Sequence, residues 1–136
     1  MRKIKNKRKE LVKELDKVFS EYIRRRWADH SGIVNCVTCG AFHHWKSVDA
    51  GHYISRRYMS TRWDDKNLAP QCKGCNIFGR GRHDDYAVWL VKYYGEGILQ
   101  ELAKKKKTIT KYKISDLEEL IDMYKGKIDN LGLVDV

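Results

Sequence analysis

A chain of 136 residues with 28 lysines and arginines against 18 acidic residues carries a formal net charge of +10 and a pI near 9.5. That length suits one domain, or one domain with helical appendages, and that charge favours a polyanion partner, nucleic acid first. No apolar run approaches a membrane span and Met1–Lys9 lacks the apolar stretch of a secretory signal. The expected compartment is therefore the cytoplasm, where paired cysteines serve as metal ligands rather than disulfides.

The first segment, residues 1–30, reads as a basic arm and a helix. Residues 1–9 are rich in lysine and arginine, either a frayed, solvated tail or a phosphate contact. From about Glu10 to Asp29, Leu11, Leu15, Val18, Phe19, Tyr22, Ile23 and Trp27 fall at helical spacing with no Gly or Pro between them. The stripe suits packing on the chain's own core, with a dimer seam as the alternative. Arg24, Arg25 and Arg26 then complement the helix C-terminus or face DNA.

Residues 31–83 form the centre. Ser31-Gly32 breaks the helix, and Ile33 to Gly40 reads as a short strand entering a knuckle, with Gly40 allowing the turn after Cys39. His43 and His44 are expected at the surface or against DNA. Val48 to Ser55 reads as strand–turn–strand around Gly51. The single proline, Pro70, leads into the second knuckle, and Gly79-Arg80-Gly81-Arg82-His83 is a basic loop.

Residues 84–136 read as helical: one helix capped by Asp84 and stopped by Gly95, a short one over Ile98–Ala103, and a solvated charge run over Lys104–Lys107. A last helix opens on a Ser115/Glu118 capping box, with Leu117, Leu120, Ile121 and Tyr124 on one face, and ends at Gly126. The three segments are expected to form one compact domain overall.

All four cysteines lie in two Cys-x-x-Cys pairs, Cys36/Cys39 and Cys72/Cys75, separated by residues 40–71. Such pairs suit structural zinc, four thiolates closing a tetrahedron and fixing a small core. Alone they fit a zinc ribbon that only binds. Within and beside them stand His52, Asn67 and Asn76. A neutral histidine can take a proton from water near neutral pH, and Asn76 can help hold a hard divalent cation at a scissile phosphate.

Cys-x-x-Cys, His, Asn and Cys-x-x-Cys-Asn in this order resemble the zinc-stapled HNH endonucleases of the ββα-metal, or His-Me finger, fold. More closely, Asp49-Ala50-Gly51-His52-Tyr53-Ile54-Ser55-Arg56, Thr61-Arg62-Trp63-Asp64, Asn67, Gln71-Cys72 through Cys75-Asn76, Phe78, Tyr93-Tyr94-Gly95 and Leu117-Glu118-Glu119-Leu120-Ile121 resemble the phage lambda NinG (Rap) recombination family. The resemblance runs from the long N-terminal helix to about Lys125. It implies an α+β fold with a small ββα-metal core stapled by a four-cysteine zinc site, a long N-terminal helix and C-terminal helices.

It further implies a metal-dependent, structure-specific endonuclease that cuts branched recombination intermediates such as Holliday junctions and D-loops. His52 would be the general base and Asn67 would orient it or brace its loop. Asn76 would hold a catalytic Mg²⁺ or Mn²⁺, the zinc being structural. Arg56 and Arg57 would hold phosphates, joined by Arg62, Arg80 and Arg82. Most HNH enzymes place an Asp ligand directly before the catalytic His, where this chain has Gly51. Asp49, which shares the strand parity of that position, or His83 is expected to complete the site. Symmetric cutting of a four-way junction implies a homodimer. The alternative is a non-catalytic zinc-containing nucleic-acid-binding accessory protein for recombination.

Overall fold

The computed structural model describes residues 2–131. Helix α1 spans Arg2–Arg26, so the basic arm is the first turns of the helix from Arg2 onward rather than a frayed tail; Met1 lies outside the described residues. Lysine and arginine are good helix formers, and Arg8 donates to the Tyr112 carbonyl. Strands β1 (Ile33–Asn35) and β2 (Phe42–His44) pair antiparallel, Ile33 opposite His44. Strand β3 (Asp49–His52) pairs antiparallel with β4 (Leu68–Gln71), Asp49 opposite Gln71 and His52 opposite Leu68. Between them runs the short helix α2 (Met59–Arg62), and after β4 a π-type turn covers Gly74–Phe78. Helices α3 (His83–Tyr94), α4 (Ile98–Lys106) and α5 (Ile114–Asp129) complete the described chain.

Gly51 sits inside a straight strand, not at a hairpin tip. The Gln71 side chain lies over it, and a Cβ there would stand 2.0 Å from Gln71 Oε1. The missing side chain thus serves close cross-strand packing rather than a turn. Pro70, opposite Ala50 in β4, gives its carbonyl to the Val37 amide at 3.1 Å, tying the sheet to the first knuckle.

The β3–β4 ribbon divides two cores because successive strand residues face opposite ways. Leu68 joins Leu15, Phe19 and Ile23 of α1 and Leu117, Ile121 and Tyr124 of α5. Ala69 joins Tyr86, Leu90, Ile98 and Leu102 of α3 and α4. Each large apolar side chain so buried contributes about 1.5–3 kcal/mol. The α1 stripe is therefore used within the chain, against α5. A third cluster, Val34, Trp45 and Val48, sits under β1–β2.

Several helix boundaries differ from the sequence expectation. Arg82, left-handed at φ 44°, caps α3 without a side-chain bond, and Asp84 lies in the first turn. At α5 the cap is Lys113, whose amide donates to Asp116 Oδ2 at 2.8 Å; Ser115 is already helical. Gly126 does not stop α5, since packing on α1 outweighs the weak propensity of one glycine. Lys104–Lys106 extend α4 by a turn. Residues 132–136, which gave no sequence signal, lie outside the described ones.

Candidate functional site

The two knuckles converge. The ligand atoms of Cys36, Cys39, Cys72 and Cys75 all lie within 4.8 Å of one another, and Cys39 and Cys72 Sγ are 3.8 Å apart. Zinc with Zn–S near 2.3 Å puts tetrahedral sulfurs about 3.8 Å apart, so the donor set and spacing suit zinc. The Cys72 amide points at Cys36 Sγ (3.3 Å) and the Cys75 amide at Cys72 Sγ (3.4 Å), a pattern that favours thiolates. Burial pushes the Cys36 thiol up, but the Thr38 hydroxyl and nearby amides outweigh it and bring it down to about 6. Cys36 and Cys75 are buried, whereas Cys39 is exposed and Cys72 half-buried, so the cluster sits at the edge of the core.

Beside it lies a cleft of about 350 Å³ bounded by α1, β3, α2 and the turn after Cys75. His52, at the end of β3, lines it. Its Nε2 lies 3.0 Å from the Arg62 carbonyl. A carbonyl oxygen only accepts, so Nε2 carries the proton and Nδ1 is the basic nitrogen. Burial holds the imidazole below the ordinary histidine range, the Arg62 carbonyl opposing in part, so His52 is neutral at pH 7.

Asp49, at the start of the same strand, lines the cleft with His52. Asn76, in the π-type turn, donates from Nδ2 to Asp49 Oδ2 at 3.0 Å, and Lys73 Nζ lies 2.7 Å from Asp49 Oδ1. Burial raises the Asp49 carboxyl, but Lys73 and Asn76 outweigh it and hold it below the usual carboxylate range. The strand and the turn thus bring an ionised carboxylate and a carboxamide together at one edge of the cleft. An ammonium already rests on that carboxylate, so the position accepts positive charge.

Asn67 is fully buried. Its Oδ1 accepts from the Ile54 amide (2.8 Å), and its Nδ2 donates to the Ile54 and Thr61 carbonyls (3.0 Å each). It braces the segment between β3 and α2 and has no bond to His52 among the described contacts. Arg56 lines the cleft. Arg62 also lines it, but its guanidinium is held inside the protein, by Asp16 through Nε (2.9 Å) and Nη2 and by the Arg56 carbonyl (2.9 Å). Arg82 bonds Asp85 (3.0 Å) and approaches Cys75 Sγ (3.9 Å). Arg80 is exposed at φ 54°. Arg57 and His83 fall outside this cleft. His83 stacks on Tyr53, rings 4.7 Å apart, on another face of the loop, and does not join Asp49 and Asn76. His43 and His44 are half-buried in β2.

Asp16 and Gln71 carry weight that the sequence reading missed. Asp16, one acidic residue on a charged helix, receives Trp63 Nε1 at 2.9 Å as well as Arg62; only the packing of α1 on the cleft reveals it. Buried Gln71 donates to the Gly81 carbonyl (2.7 Å) and the Thr38 hydroxyl (3.2 Å), linking both knuckles to the arginine loop.

This is a mixed α+β fold with a four-cysteine cluster beside a polar cleft. The family described as bacteriophage lambda NinG protein matches residues 1–133, and the chain belongs to that family. It is 29% identical over 94 residues to Protein ninG of Escherichia phage 933W and, equally, to that of Salmonella phage P22. The aligned region covers 67% of this chain and 43% of each relative, so the chain spans less than half the length of these relatives. No solved structure matches it. Among the described residues no helix is long and apolar enough to cross a membrane.

Proposed function

We propose that the protein is a metal-dependent endonuclease of the HNH type that cuts branched DNA, with a structural zinc on the four cysteines. The observation that carries this reading is the pairing of a neutral His52, its Nε2 committed to the Arg62 carbonyl, with the Asp49–Asn76 couple in one cleft. The order of strand β3, strand β4 and the turn at Gly74–Phe78 supports a ββα reading of this unit.

Asp49 and Asn76 offer the hard oxygen donors that Mg²⁺ or Mn²⁺ takes, and the half-exposed Lys73 is free to swing aside. Bound there, such an ion supplies charge stabilisation at a scissile phosphate. His52 Nδ1 accepts a proton from the attacking water, and the Arg62 carbonyl steadies the imidazolium that forms. Arg56 holds a phosphate at the cleft mouth. Asn67 keeps the His52 segment in register with α2. The net charge of +10 draws the polyanion in. Resolution of a four-way junction takes two symmetric cuts, so the reading includes a homodimer.

The test is a cleavage assay of the protein and its His52→Ala variant on a labelled four-way junction, a D-loop and a linear duplex, with Mg²⁺, Mn²⁺ or chelator. Nicking of the branched substrates that needs the metal and is lost in the variant, with binding kept, is expected. Binding without cutting in either metal would replace the nuclease with a zinc-containing nucleic-acid-binding protein.

A further inference from the structure

The chain leaves β3 along a ridge, residues 53–58, with a different cleft on each side. His52 and Arg56 line the one described above; Tyr53 and Arg57 line a second, of about 520 Å³, against Lys106 at the end of α4. The two differ in electrostatics. In the first, Asp16 pairs with Arg62, and Asp49 with Lys73. The second has no acidic side chain on its wall. Arg57 Cζ and Lys106 Nζ both lie on the Tyr58 ring, 5.4 and 4.6 Å from its centre, and among the described residues neither has a carboxylate partner.

Two cations that line one cleft with no acidic neighbour on its wall draw an anion into it. Lys105, one residue away, is paired with Asp64 at 2.7 Å, so the absence of a partner belongs to this cleft and not to the whole lysine run. The same cleft is lined by the Tyr53 and His83 rings, stacked at 17° and 4.7 Å, with His83 exposed. A flat aromatic pair beside unpaired cations is the combination that takes a phosphate and the base attached to it.

We propose that the second cleft is a strand-binding site for a nucleotide of the strand that is not cut, so that ridge 53–58 stands between two strands of a branched DNA. This rests on the branched-DNA reading above. It separates two adjacent arginines, Arg56 serving the scissile strand and Arg57 the other. A linear duplex, whose strands cannot part around the ridge, fills only the first cleft.

Binding measured in chelator tests this without any cutting. Fluorescence anisotropy would compare a four-way junction with a linear duplex of the same sequence, for the protein, Arg57→Ala/Lys106→Ala, Tyr53→Leu and Arg56→Ala. Arg57 and Lys106 are exposed, so the double variant keeps the fold. It is expected to bind the junction about tenfold more weakly, to lower the slope of log K against log salt on that substrate by about 1–2, and to leave duplex binding within about twofold. Tyr53→Leu should lose about tenfold on the junction with an unchanged salt slope. Arg56→Ala should weaken both substrates alike. Equal losses on junction and duplex in the double variant, or no loss on either, would overturn the second-strand site. A protein that shows this pattern yet cuts nothing removes the nuclease reading and leaves the second cleft as the site of a second strand of branched DNA. One that cuts junctions while the double variant binds them normally removes this inference alone.

Discussion

Gln71 lies directly over Gly51 in the β3–β4 ribbon, close enough that a Cβ on Gly51 would stand 2.0 Å from its Oε1. Gln71 is fully buried, and the Nε2 of the same carboxamide donates to Gly81 and Thr38, so the group has little room to withdraw. Gly51→Ala is expected to destabilise the fold by about 1–3 kcal/mol. Gly51→Asp should cost more, because it also buries a charge. Urea unfolding followed by tryptophan fluorescence measures both. An alanine variant as stable as the parent would mean that Gln71 moves freely and the ribbon is not fixed as described.

A zinc on the four cysteines would tie together the two knuckles, whose sulfurs lie within 4.8 Å of one another. Cys75→Ser is expected to lose zinc and its sharp unfolding transition, since structural zinc sites contribute on the order of 10 kcal/mol to folding. Chelator added to the parent should do the same, with the metal counted by a colorimetric zinc assay. A Cys75→Ser variant with full zinc content and unchanged melting would remove the assignment.

The cysteine pairs, the α1 stripe and the Leu117–Tyr124 face were legible because each is a local pattern, a fixed spacing or a helical period. The cleft was legible only in part. Strand parity linked Asp49 to position 51, where HNH enzymes carry their carboxylate, and Asp49 does reach Asn76. The Gly51 turn and the Gly126 stop, by contrast, were decided by tertiary packing that overrides local preference, while the Asp84 cap gave way to the left-handed Arg82 and the Ser115 box to the Lys113–Asp116 bond, each two residues earlier. Arg62 shows the same limit. In sequence it is one more arginine, and only the approach of α1 brings Asp16 to neutralise it.

Asn67 is the buried clamp of the His52 segment. Asn67→Ala leaves the Ile54 amide and the Ile54 and Thr61 carbonyls without this partner, and an unpaired buried group costs about 1–3 kcal/mol. A loss of about 2–4 kcal/mol in urea unfolding is expected. A variant of parental stability that had lost only cleavage would instead make Asn67 a direct participant in the chemistry.

Gly126 lies within α5, and a Cβ there meets nothing within 4 Å. Gly126→Ala should therefore raise stability by about 0.5–1 kcal/mol through the lost flexibility of the unfolded chain. A drop on substitution would show that α5 sits closer to its neighbours at this turn.

The depressed His52 imidazole links stability to pH in a definite direction. Burial keeps the folded side chain neutral below the ordinary value of 6.5, while the same histidine in the unfolded chain titrates near 6.5. Above that pH both states are neutral and nothing changes. As pH falls through 6.5 the unfolded chain binds a proton that the folded chain refuses, so stability declines, by at most about 1.4 kcal/mol per pH unit, until the folded pKa is reached. His52→Gln removes this contribution, and the difference in unfolding free energy between pH 7.5 and 5.5 should shrink relative to the parent, the other four histidines being common to both. Cleavage should follow the same group, holding its rate down to below pH 6.5 before the acid limb begins. An identical pH slope in the variant and the parent would mean that His52 titrates as an exposed histidine does, and it would then have no special fitness as a base.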